Sequence, residues 1–195
     1  MPILAILLIV PLVVVVYFVA TYNKLQTIKT RIKASIQEIG NQLKRQAELI
    51  PNLAESVKGY LKHEKDIFKQ LTEARKSVET ASNSGDTDKI LKSQDLLQKT
   101  IGSLKVLIES NPEIKGSQVV ENLMAELRDT ADKVMYSRRT LIDLSADYNQ
   151  VLVVFPSNLV AKTLGFKPEK GLSTPDSGAH LEVSSEETKA PKINL

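Results

Sequence analysis

Cysteine and tryptophan are both absent from this chain. The lack of cysteine excludes disulfides, thiolate metal sites and a cysteine nucleophile, and it fits any redox compartment. Aromatic residues make up only 5% of the sequence, against 25% charged residues and abundant Leu, Ile, Val, Lys and Glu, a mix that favours an all-α domain. A large charge excess is also missing: a net +3 gives no reason to expect nucleic-acid binding. Of the two histidines, His63 is followed by Glu64, but a helical zinc protease needs a second His four residues on, and position 67 is Ile. The repeated Glu-x-x-His of a carboxylate di-metal centre does not occur. Gly40, Gly59 and Gly102 lie in helical runs and form no phosphate loop. With no nucleophile–base constellation either, the expectation is a protein without catalysis, metal or cofactor.

Charge is missing most completely from the first 23 residues. Residues 3–20 read ILAILLIVPLVVVVYFVA, apolar apart from the Tyr17 hydroxyl and interrupted once by Pro11. As a helix this run is roughly 27 Å long, close to the hydrocarbon thickness of a bilayer. Proline is tolerated in membrane helices, and Tyr17 and Tyr22 sit where interfacial aromatics belong. A cleaved signal peptide would want a basic leading region and small residues before the cut; a cut after Ala20 would put Phe18 at the −3 position. The reading is therefore an uncleaved single-pass anchor. Lys24, Lys29, Arg31 and Lys33 follow it, with no acid before Glu38. The positive-inside rule then places the following domain in the cytoplasm, at the inner face of the cell membrane. The same bases also read as a solvated helix face.

From Leu25 onward, apolar residues recur in coiled-coil-like heptads. One series is Leu25, Ile32, Ile39, Gln46, Leu53, Tyr60, Ile67 and Ala74; the other runs Ile36, Leu43, Ile50, Val57, Glu64, Leu71 and Val78. Interleaved, they step by three and four, which marks a helix with one buried stripe. Pro51 removes a backbone donor and crowds the carbonyl of Ala47. The unbroken phase favours a kink there, whereas arm lengths favour a break into segments 22–48, 51–81, 86–110 and 117–155; four arms are the expectation. Residues 82–85 read as a turn, Asp86 as an N-cap, residues 111–116 as the next break, and Ser117 as a further cap. Pro156 stops the last long helix, and residues 157–165 form a short amphipathic helix. Beyond Phe166 the periodicity ends, and residues 167–195 read as a disordered tail.

Several of these segments form a recognisable set. Tyr22-Asn23-Lys24-Leu25 follows the span; then come Gln42-Leu43-Lys44-Arg45, Leu49-Ile50-Pro51-Asn52-Leu53, Val57-Lys58-Gly59-Tyr60 and His63-Glu64. Later come Ala74-Arg75, Asn111-Pro112, Tyr148-Asn149, Phe155-Pro156, Gly165-Phe166 and the ending Ala190-Pro191-Lys192-Ile193-Asn194-Leu195. Over about residues 1–166 and the last six, the chain resembles the LemA family. The resemblance implies a single-pass bacterial membrane protein carrying an antiparallel, up-and-down four-helix bundle, and it implies no enzymatic chemistry. The chain departs from the family pattern at Gln46, where a second arginine is common, at Ala131-Asp132, where an acidic-asparagine pair is usual, and in residues 167–174, which lack a second aromatic motif.

The expected organisation is an anchor over residues 1–23, a bundle over 24–166 and the tail. Glu64 and Arg138 interrupt apolar stripes. An ion pair fixing helix register is the leading reading, with an interhelical ligand site or plain exposure as alternatives. Asn52 beside Pro51 is expected to cap backbone groups at a bend. Lys44-Arg45 and Arg138-Arg139 read as solvated surface. Tyr22, Asn23, Tyr148 and Asn149 are expected to meet at the membrane-proximal base. The function these features imply is a membrane-anchored interaction scaffold whose partners are the lipid bilayer, other membrane proteins or a second copy of itself. A ligand-sensing bundle that regulates a neighbouring membrane enzyme or protease is the alternative. A polar-lined pocket containing Glu64 and Arg138 would favour the second reading, and a tightly packed core without one would favour the first.

Overall fold

The computed structural model describes residues 2–169, and among these the chain is all helical, with no strand. Helix α1 spans Pro2–Lys58, α2 Lys65–Ser84, α3 Thr87–Ser110, α4 Pro112–Lys115, α5 Gln118–Val153 and α6 Ser157–Thr163. The 57 residues of α1 make a rod of about 85 Å. Its apolar N-terminal part is long and apolar enough to cross a membrane, and Leu7, Leu8, Val13, Val16 and Val19 are all exposed there. The apolar run passes into the bundle helix with no linker.

Pro51 does not end α1. The helix continues to Lys58, and the chain turns instead over residues 59–64. The expected four arms are therefore present, with the first boundary later than the arm lengths suggested. Pro51 is exposed, so its ring displaces no core side chain, but it leaves the carbonyl of the buried Ala47 without its helical donor. Replacing Pro51 by Ala should restore that bond and raise stability by about 1–3 kcal/mol, read as a higher unfolding midpoint in detergent. The tail assignment also shifts. Residues 167–169 belong with the folded part, and the remainder of the expected tail lies outside the described residues.

Short connections make the long helices antiparallel neighbours. Asp86 caps α3 as its position suggests, its Oδ1 accepting from the backbone N–H groups of Asp88 at 2.9 Å and Lys89 at 3.3 Å. Gly85 takes the left-handed conformation that ends α2, with φ of 63°. Asn111 caps the single turn α4, which buries Ile114. Ser117 occupies the N-cap position of α5 without a side-chain bond.

The packing divides the molecule into two levels. Near its middle α1 meets the start of α3, where a Cβ on Gly40 would lie 4.0 Å from Ile90 Cδ1. From there to Lys58, α1, α2, α3 and α5 surround a core that includes Leu43, Leu53, Leu71, Leu97, Leu104 and Leu127. Below Gly40, α1 is paired with α5. Leu25, Ile28, Ile32, Ser35 and Ile39 on α1 and Val134, Ser137, Leu141, Leu144 and Tyr148 on α5 are buried at steps of three and four. This two-helix stem lifts the four-helix part about 24 Å above the apolar run.

A cleft between α3 and α5

α3 packs mainly on α2, α5 mainly on α1, and the two scarcely touch each other. The gap between them is a cleft of 670 Å³. Ile101, Met124, Leu127, Val134, Met135 and Ile142 give it apolar walls, and Lys105, Arg128, Arg138 and Arg139 line it with Asp132 as the single acid. From Met124 to Ile142 it follows α5 for about 27 Å. Gln46 of α1 is also among its lining residues.

Gln46 explains one polar break in the apolar stripe. It is buried, and its Nε2 donates to the Leu127 carbonyl at 3.1 Å. Gln94, only 8% exposed, lines the cleft from α3, and its Oε1 has no hydrogen-bond partner among the described residues. A buried amide oxygen without a donor is costly, so it marks a place where a ligand donor would be welcome.

Arg138 stands one position past the buried Ser137, half-buried at the edge of the α5 stripe, and so forms part of the cleft wall. Its Nη1 lies 3.7 Å from Asp95 Oδ1, a rim contact worth about 0–1 kcal/mol. Glu64, by contrast, is exposed at the N-cap of α2 and makes no capping bond. The heptad count ran through a turn, so this residue never faces the core and does not meet Arg138. His63 is exposed in the same turn. Asn52 is exposed on the uninterrupted helix; its carbonyl accepts from Ser56 Oγ, and its side chain makes no capping bond among the described residues. Arg45 is more than solvated surface: its Nη2 reaches Glu126 Oε1 at 2.8 Å, across from α1 to α5. That contact raises the guanidinium pKa, first through the hydrogen bond and then through charge.

The base brings together three of the four residues expected there. Tyr22 lies with its ring centroid 6.0 Å from that of Phe166. Asn149 holds the backbone of Glu169 with two bonds, Nδ2 donating to its carbonyl at 2.8 Å and Oδ1 accepting from its N–H at 3.0 Å. Tyr148 is fully buried beneath it, and its hydroxyl finds no partner among the described residues. Burial pushes the Tyr148 phenol pKa up, and the Glu169 carboxylate adds to the shift. Asn23 is exposed nearby and joins none of these contacts.

Comparison with known families is decisive on ancestry. A model of the LemA family matches residues 35–193. The chain belongs to the LemA family. No curated protein matches it. The match covers the bundle from residue 35 onward and most of the segment beyond it, so the family match extends past the last described residue. Gln46, Ala131 and Asp132 all line the cleft. Among the described residues, no group of three or more His, Cys, Asp or Glu side chains converges as a metal site. Sequence reasoning missed Gln94, Arg128, Met124 and Met135 as cleft residues. Each looks like an ordinary helix position until the failure of α3 to close on α5 is seen.

Proposed function

We propose that this LemA protein is a non-catalytic, membrane-tethered binding module that seats an acidic, amphipathic helix of a neighbouring membrane protein in the α3–α5 cleft. The open cleft is the observation that carries this reading. It runs between the helices as a groove, about three helical turns long on α3 and five on α5, with apolar walls for the buried face of a guest and four bases for its acidic edge. Two methionines in the wall suit a surface that adapts to its partner. A second reading, in which the cleft takes a small anionic amphiphile and the bundle acts as a sensor, is favoured by its volume of 670 Å³, within the ~300–1,000 Å³ range of small-molecule sites, and by the unpartnered Gln94 oxygen.

In the same proposal the apolar run is a single-pass anchor in the cell membrane and the bundle lies on the cytoplasmic side, supported by the bases at 24, 29, 31 and 33. Replacing residues 3–20 with a soluble tag should leave a helical domain that no longer sediments as an integral membrane protein. Protease added to intact cells should spare the full-length chain. Cleavage from outside would reverse the orientation.

A further inference from the structure

The base carries apolar surface that the bundle does not use. Where α5 ends and α6 begins, Val153, Val154, Phe155 and Leu159 are exposed, Phe155 to 75% and Val153 to 71%. Contacts fix their height in the molecule. Lys24 and Ile28 of α1 share one small surface pocket with Asp147, Gln150, Val151, Val154 and Ser157. α6 packs on α1, and the Tyr22 ring lies near that of Phe166, tilted by 54°. Because α5 runs antiparallel to α1, the chain beyond Val151 lies level with the residues just before Lys24, where the uncharged run ends. Two valines, a phenylalanine and a leucine thus stand together at the height where an anchored chain would meet the hydrocarbon boundary. Scattered apolar residues need no explanation, but a cluster at such a place does. Lys24 lines that small pocket with Asp147 as its one acid, and Lys162 is exposed on α6, so both bases are available to anionic headgroups.

We propose that this α5–α6 corner, residues 153–159, enters the bilayer interface beside the anchor. The domain is then held on an anionic membrane at two points rather than swinging on one helix. The cleft keeps a fixed direction relative to the membrane. The inference rests on the reading of the apolar run of α1 as a membrane span.

The absence of tryptophan makes the test clean. Three full-length single-tryptophan variants, V13W in the apolar run, F155W at the corner and V119W at the far end of α5, are reconstituted in mixed phosphatidylcholine–phosphatidylglycerol vesicles containing brominated acyl chains. V13W and F155W should both be quenched by bromine, F155W best when the bromine lies near the headgroup end, and V119W should be unaffected. Quenching of V13W with F155W behaving like V119W would place the corner in water and overturn the proposal. Loss of quenching at V13W as well would remove the anchor itself. If F155W loses helicity, L159W, also at an exposed position, reads the same contact.

Discussion

Reversing the basic edge of the cleft, with Arg128, Arg138 and Arg139 all changed to Glu, should cost the protein its partner and leave its fold intact. Like charges brought together in an interface cost several kcal/mol, so three reversals facing an acidic helix should weaken binding by about 100-fold or more. The fold should tolerate the change because the one ion pair lost among the described residues, Arg138 with Asp95, is solvent-screened, with Asp95 72% exposed. The measurement is recovery of the partner from membranes alongside a thermal melt. A matched reversal away from the cleft, at Lys69 and Lys76 on the exposed side of α2, should leave recovery unchanged. The Gln94→Leu variant separates the two ligand classes. A small molecule that donates to the buried Oε1 should lose most of its affinity, whereas a helix held by many contacts should lose little.

The largest effect on stability is expected at Tyr148. Its ring fills the stem between α1 and α5 with no exposure, so Tyr148→Ala should cost about 3–5 kcal/mol. Tyr148→Phe keeps the ring and removes a hydroxyl without a partner, and it should be neutral or slightly stabilising. The two variants also part in their response to alkali. Burial raises the phenol pKa above its usual value near 10, so the folded state holds this proton more tightly than the unfolded chain. The contribution is fully present below about pH 10 and is lost as pH rises through the folded-state value. Wild type should therefore lose stability in alkali, and Tyr148→Phe should lose less. Unfolding midpoints from about pH 8 to about pH 11 read the difference.

Much of the fold is legible in the sequence because one buried stripe per helix leaves a period. The Asp86 cap, the break at 111–116 and the stop near Pro156 each follow from local chemistry, and the turn expected at 82–85 falls at its last residue, Gly85, since α2 runs on to Ser84. The first turn does not. Pro51 looks like the stronger breaker, yet it faces water and the helix absorbs it, whereas residues 59–64 hold only Gly59 as a signal. The heptad phase continues across this turn, which is why Glu64 falls in the stripe on paper and on the surface in the molecule. Gln46, the polar break in the other series, is truly buried, because α5 offers it the Leu127 carbonyl. Local pattern alone cannot separate these two cases; the difference lies in what packs opposite.

The cleft is illegible for a related reason. Every residue along it sits at an acceptable helical position. The cleft exists because α3 sides with α2 and α5 sides with α1, a choice between pairs of helices. Arg138 and Gln46 gave the advance signals, as polar groups in apolar stripes. The partner of Arg138, Asp95, is on a different helix from the one expected. At the base, Tyr22 and Asn149 each gain contacts with residues 166–169, so the end of the folded domain lies a few residues beyond the loss of periodicity.

The central claim is that partners bind in the α3–α5 cleft, and site-specific photo-cross-linking in native membranes tests it most directly. A cross-linking amino acid at Met135, in the cleft wall and exposed, is compared with one at Val106 on α3 and one at Val119 on α5, both exposed and outside the cleft lining. The account predicts a discrete adduct with a membrane protein from position 135, absent from 106 and 119. It should also disappear when Arg128, Arg138 and Arg139 are reversed, and map to an acidic helical segment of the partner. Adducts from 106 or 119 with none from 135, or an adduct from 135 that survives the charge reversal, would contradict it.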